Sequence, residues 1–327
     1  MMNFDYIRMG TVQSTVKALD KFPEGKIIAG GSNLVDLMKR NVMSPNKLID
    51  INLLPLKYIT EFNGGVKIGA LALNSQAADS ELIKSKYPLL SMAINAGASP
   101  QLRNMATFGG NMMQRTRCSY FYDINMPCNK REPNSGCGAL NGINRMHGIF
   151  GTSDNCIAVN PSDMNVALVA LDAEVMLSGP KKERKLAFAD FHKLAGETPQ
   201  LDNNLKANEL ITEIIIPENN FFKNSYYLKV RDRNSYAFAL ISVAAGLEMN
   251  GQTIQKARLA MGGVAHKPWR LYDAENFLKG KTATVAVFKE AAALAMKGAK
   301  SYGHNDFKLE LAPASILEAL SKAAHLS

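Results

Sequence analysis

Cysteine and tryptophan are scarce here: 327 residues hold four cysteines and one tryptophan, and only 20% of the chain is charged. So few cysteines exclude a disulfide-dense scaffold. With 24 glycines, 13 prolines and 46% apolar residues, the chain is neither collagenous nor disordered, and it has enough surface to bury a sizeable core. Long apolar runs are missing too. A bilayer span needs about 18 such residues, and the best stretch, Met164 to Leu177, is interrupted by Asp172 and Glu174. The first ten residues carry Asp5 and Arg8 and no basic flank before an apolar core, so no secretory signal is read there. Neither membrane insertion nor a leader is expected. The net charge is +9, yet the basic residues are scattered, and the densest cluster, Lys181 to Lys185, follows Gly179-Pro180 like a hairpin tip. No basic element is interleaved with aromatics, which disfavours nucleic acid. An acidic partner or an anionic cofactor suits the balance better.

The length allows two or three domains at about 150 residues each. The first 58 or so residues read as a small α/β unit. It has a helix over 11–20, a strand over 26–29, a helix over 33–40 and a buried strand over 47–51. A second unit begins at Ile59 with a hairpin turning at Asn63-Gly64-Gly65. Helices follow over about 74–85 and 89–96, and order resumes after residue 160 with a helix over 163–171. Strands are read over 174–177, 186–188 and 210–216. The last hundred residues read as a separate, smaller α/β unit, with strands near 226–231, 241–249 and 255–261 and helices near 285–296 and 315–324. Between about 112 and 160 there is little periodicity, and a stretch that long is functional or is ordered by something other than a core.

Three motifs carry chemistry. Lys26-Ile27-Ile28-Ala29-Gly30-Gly31-Ser32-Asn33-Leu34 joins a strand to a helix, and its glycines and helix-initiating N–H groups could cradle a pyrophosphate. A capped tight turn explains it equally well. It is not G-x-G-x-x-G, so a standard dinucleotide fold is not supported. Thr107-Phe108-Gly109-Gly110-Asn111 is a second Gly-Gly step; a turn is its cheaper explanation, but two such loops on separate lobes favour a nucleotide bound between them. Asp163 reads as a first-turn acid or as a partner for ribose or adenine. Lys229 reads as a surface lysine or as a positive charge beside a flavin pyrimidine. The third motif is the cysteine set. Cys118, Cys128, Cys137 and Cys156 all lie in the aperiodic stretch, without the C-x2-4-C knuckles of structural zinc. Four thiolates can ligate a [4Fe–4S] cluster, and Arg115, Arg117, Lys130, Arg131 and Arg145 would offset its charge. Two disulfides are the alternative.

Together these residues resemble the FAD-binding medium subunit of the molybdenum hydroxylase (xanthine dehydrogenase) family over nearly the whole chain. The two Gly-Gly loops, the Ser162-Asp163 pair and Lys229-Val230-Arg231-Asp232-Arg233 carry the likeness. Arg115 to Cys118, Pro127 to Arg131 and Gly136-Cys137 fill an insertion similar to that of periplasmic aldehyde oxidoreductases with an extra [4Fe–4S] cluster. Gly262 to Arg270 resembles the C-terminal domain of that branch. The resemblance implies an α+β fold: a two-lobed FAD-binding domain of the vanillyl-alcohol-oxidase (PCMH) type over 1–220, with lobes 1–58 and 59–220 and the cluster insertion near 112–160. A smaller C-terminal α/β domain of the CO dehydrogenase flavoprotein type follows over 221–327. It implies FAD contacts from Lys26 to Leu34, Thr107, Gly110, Asn111, Asp163 and Lys229, and iron ligation by the four cysteines. It implies a molybdopterin-binding large subunit and a small subunit with two [2Fe–2S] clusters as partners. Electrons would pass from these to FAD and on to an external acceptor, with no catalytic acid or base on this chain. Thiolate ligation implies folding in the cytoplasm, and the resemblance allows periplasmic residence by co-export with a signal-bearing partner. A stand-alone flavin oxidase and a zinc-stapled assembly subunit are the rival expectations.

Overall fold

In the computed structural model, which describes residues 1–326, the chain opens with a parallel three-stranded sheet. Lys47–Asp50 lies in the centre and pairs in parallel with Asp5–Arg8 on one side and Lys26–Ile28 on the other. Parallel neighbours need crossovers, which the helices Val12–Lys21 and Leu34–Lys39 supply. Thr11 caps the first of these by accepting the Ser14 N–H, and Val16, Ala18 and Leu19 form its buried stripe.

A five-stranded antiparallel sheet follows, in the order Ile59–Phe62, Gly65–Gly69, Leu210–Ile216, Glu174–Ser178, Glu183–Ala187. The expected hairpin at Asn63-Gly64 is there, and the chain returns late to place Leu210–Ile216 in the middle. Asp163–Ala170 is buried at every position. Apart from Asp163 and Asn165 it is apolar on every side, which belongs in the middle of a core, and it packs in the largest of the hydrophobic clusters. The single helix expected over 74–85 is two, Asn74–Asp79 and Glu81–Lys86, because Ser80 is extended (ψ 127°).

The C-terminal part is an antiparallel sheet ordered Trp269–Arg270, Thr253–Gly262, Ile241–Asn250, Ser225–Val230. Three helices cover it: Tyr272–Leu278, which periodicity did not reveal, Val285–Ala295, and Lys308–Ala323. The last begins seven residues earlier than expected and runs through Pro313. The aperiodic stretch is less of a free insertion than its sequence suggests. Ile149 and Phe150 belong to the C-terminal core. Their N–H groups both donate to the Val264 carbonyl, at 2.8 and 3.0 Å, and Phe150 stacks on Trp269 at 5.2 Å.

Candidate functional site

The first glycine loop is shaped by backbone packing. A Cβ on Gly30 would sit 1.9 Å from the Met105 carbonyl oxygen, so only glycine lets the loop rest on the segment leading to Thr107. Gly31 is left-handed (φ +71°), which strains any side chain there. Beneath the loop, Asn52 Nδ2 donates to the Ala29 carbonyl (3.1 Å) and to Asp50 Oδ1 (2.7 Å). Burial by itself would raise the Asp50 pKa. Hydrogen bonds from Tyr6, Asn52 and Arg8 outweigh it and hold the group below the usual carboxylate value.

The second loop starts a short helix, Phe108–Met112, capped by Thr107 Oγ1, which accepts the Gly110 N–H at 3.2 Å. Asn111 Oδ1 accepts from Ser162 Oγ (2.7 Å) and Gln114 Nε2 (2.6 Å). Asn33 Oδ1 accepts the Arg115 N–H at 2.9 Å, while its buried Nδ2 has no partner. A buried amide donor left open is costly, so it marks a place where an acceptor is wanted.

Two cavities meet along these loops. One, of about 410 Å³, is lined by Lys26, Ile27, Ile28, Ala29, Gly30, Gly31, Ser32, Asn33 and Leu34, by Thr107 and Gly110, and by Arg115 with residues 200–203. The other, of about 840 Å³, is lined by Asn111 and Asp163 among others. Ser32, Asn33 and Gly110 line both, so the two form one trough.

Asp163 is the first residue of its helix, not the cap; Ser162 holds that position and accepts the Asn165 N–H at 3.1 Å. Both Asp163 oxygens are taken, one by the Tyr227 hydroxyl and one by Lys229 Nζ, each at 2.8 Å. Burial, then the Asp163 charge, pushes the Tyr227 pKa well above its ordinary value. Lys229 is no surface lysine. Its side chain is 3% exposed, donates also to the Ala96 carbonyl (2.9 Å), and lines neither cavity of the trough. It reaches the site only through Asp163.

The four cysteines are free thiols, and all four line one small pocket with Asn129, Lys130 and His147. Cys118 starts the helix Ser119–Tyr122, Cys128 and Cys137 face each other across an antiparallel bridge, and Cys156 sits in a turn bridged to Ser153. Asn129 ties the pocket together: its N–H donates to the Gly136 carbonyl (2.7 Å), its Oδ1 accepts the Gly136 N–H (2.8 Å), and its Nδ2 donates to the Asn155 carbonyl (3.1 Å). Burial pushes the Cys118 thiol up to about 12 and Cys156 up to about 11. Among the described residues, no three Cys, His, Asp or Glu side chains converge closely enough to hold one metal ion.

Residues 2–219 match the family model described as the FAD binding domain in molybdopterin dehydrogenase, and residues 226–323 match the CO dehydrogenase flavoprotein C-terminal domain. The chain belongs to the FAD-binding subunits of the molybdenum hydroxylase family. This FAD-binding subunit is 45% identical, over 99% of both chains, to the aldehyde oxidoreductase FAD-binding subunit PaoB of Escherichia coli K12. It is 30% identical to the glyceraldehyde dehydrogenase medium chain of Sulfolobus acidocaldarius, over 88% of this chain and 85% of that one. Its fold matches a carbon monoxide dehydrogenase structure from Hydrogenophaga pseudoflava that lacks the Mo-pyranopterin moiety of its cofactor. That match has a TM-score of 0.79 and 25% identity, covering 99% of this chain and 98% of the other. The relatives are oxidoreductase subunits. In this FAD-binding subunit the glycine motifs were readable in the sequence, but the opposite trough walls were not. Asp202 and Leu201 come from a loop without periodicity, Tyr122 ends the four-residue helix Ser119–Tyr122, and Tyr236 and Phe238 lie in an irregular loop. Among the described residues, no helix is long and apolar enough to cross a membrane.

Proposed function

We propose that the chain is the electron-transfer subunit of a molybdenum-dependent aldehyde oxidoreductase, holding FAD along the trough and a [4Fe–4S] cluster on Cys118, Cys128, Cys137 and Cys156. The observation that carries the flavin assignment is the meeting of two glycine loops, one after the strand Lys26–Ile28 and one opening the helix Phe108–Met112, around a shared wall of Ser32, Asn33 and Gly110. Gly30 and Gly31 hold the first loop in place, and Asn33 Nδ2 offers an unused donor. The N–H groups opening Leu34–Lys39 and Phe108–Met112 face anionic groups well. Asp163 presents its carboxylate from a fixed position, with Lys229 as its counter-charge behind it.

The cluster assignment is supported by the donor set: four thiols that line one pocket and form no disulfide. The centre of a water-sized sphere has only about 10 Å³ open to it between these side chains. Covalent ligation, however, replaces van der Waals contact with bonds, so the arrangement of donors decides the fit. Lys130, with its side chain 1% exposed, stands beside the pocket and offsets thiolate charge. When bound, the two groups supply one-electron transfer at the cluster and a store for two electrons at the flavin.

On this reading, a molybdopterin-binding large subunit oxidises the substrate and a small subunit with two [2Fe–2S] clusters passes electrons to this chain for delivery to an external acceptor. The 45% identical relative carries an aldehyde oxidoreductase name, which supports the substrate class. Cluster insertion into reduced thiols favours folding in the cytoplasm, with any periplasmic residence reached by co-export with a partner. Cys137→Ser tests the two halves separately: iron should be lost while FAD stays bound. Equal iron content in that variant and the parent would remove Cys137 from the ligand set.

A further inference from the structure

His147 is the one imidazole in the cysteine pocket. It is 4% exposed, and its Nε2 lies 3.1 Å from Cys118 Sγ. A thiolate bound to iron carries no proton, so the proton in that contact has to sit on the ring, which fixes an Nε2–H donor. The neighbouring C-terminal unit holds this residue by its backbone. Lys308, fully buried at the first position of Lys308–Ala323, donates to the His147 carbonyl (2.8 Å) and the Gly263 carbonyl (2.6 Å). Asn305, also fully buried, donates to the carbonyls of His147 (3.4 Å) and Gly148 (3.0 Å). The His147 N–H itself donates to the Asn144 carbonyl (2.9 Å).

The position of Lys308 otherwise makes little sense. A cation at a helix N-terminus opposes the helix dipole, and no carboxylate lies within ion-pair distance of this one among the described residues. Its Nζ–H groups are used on carbonyls, one of them His147's. Hydrogen bonds to cluster sulfurs draw off negative charge, stabilise the reduced cluster and raise its potential.

We propose that His147 is a positioning residue for the iron–sulfur centre, raising its reduction potential through Nε2–H···Sγ to Cys118, and that Lys308 and Asn305 hold the imidazole there from the C-terminal unit. The inference rests on the cluster reading above. The test is an anaerobic redox titration of the assembled complex, following the cluster by electron paramagnetic resonance, with iron and flavin counted in the same samples. His147→Leu should keep its iron and titrate at a more negative potential than the parent, and His147→Gln, which retains an N–H donor of similar reach, should recover part of the shift. Lys308→Met should move the potential in the same direction by less. An iron-loaded His147→Leu with the parental potential would overturn the hydrogen bond. If that variant loses iron, Lys308→Met at the parental potential would overturn the clamp. A parent complex with no iron on this chain would instead overturn the cluster reading.

Discussion

A carboxylate and an ammonium that both leave water have to hold each other, and Asp163 and Lys229 do so at 2.8 Å with side chains 6% and 3% exposed. Removing one partner strands a buried charge. Lys229→Met should therefore destabilise the protein by about 3–5 kcal/mol, whereas Lys229→Met with Asp163→Asn should cost much less. Urea unfolding of the two variants decides it; equal losses would mean that the pair is not the source. The glycines divide in a similar way. Gly30→Ala meets backbone at 1.9 Å and should damage folding, so it says nothing about a ligand. Gly110 has an ordinary backbone angle, and an added Cβ would press only on the Thr107 hydroxyl, at 2.8 Å. Gly110→Val has to displace the Thr107 hydroxyl that caps Phe108–Met112, a local cost of about 1 kcal/mol, and should lose most of its flavin, read as bound FAD per chain in protein that circular dichroism shows to be folded. Full flavin in a folded Gly110→Val would empty the trough of its proposed occupant. The sequence marked both glycine pairs, as tight turns or as a cradle for a nucleotide. It could not show that Gly30 serves a backbone contact and that Lys229 is buried, because both depend on segments far away in the chain.

At the level of elements, the cysteine segment is fastened on two sides. Ile149 and Phe150 anchor it in the C-terminal core, and Arg115 and Lys130 anchor it to Asp202 on the trough wall. Asp202 is half-buried, and its partial loss of solvent alone would raise its pKa. Lys130, then Arg115, with a weaker contribution from His266, outweigh that and hold it at about 2. A depressed carboxylate contributes stability above its unfolded pKa, near 3.9, and loses it as pH falls through the folded value. The tie should therefore weaken between about pH 4 and 2. Asp202→Asn should bring that loss to neutral pH, measured as faster FAD release at pH 7; a release rate equal to the parent's would separate the loop from the flavin site. Turn-rich segments of this kind have no hydrophobic period, which is why the sequence marked the stretch as ordered by something other than a core and left its attachments unseen.

Over the whole molecule, three sheets with their own cores were largely legible, since strands and amphipathic helices carry their periods locally. What periodicity could not supply was the late return of Leu210–Ile216 into the middle of its sheet and the sharing of the cysteine segment between units. The histidines give the molecule a pH dependence of its own. His192 and His266 are buried, and loss of solvent holds each down to about 4; Asp202 and Lys267 act on the first, Lys130, Asp202 and His192 on the second. Between about pH 6.5 and 4 the unfolded chain binds protons that the folded one refuses, so stability should fall as pH drops through that window, by at most roughly 3 kcal/mol per histidine. Urea midpoints at pH 7 and pH 5 check this; equal midpoints contradict it. The central claim is that one chain carries both a flavin and an iron–sulfur centre. Its most direct measurement is the count of FAD, iron and disulfides in anaerobically purified protein. One FAD, about four irons and no disulfide per chain is the expected result, and Cys118 to Cys156 recovered as two disulfides without iron would contradict it.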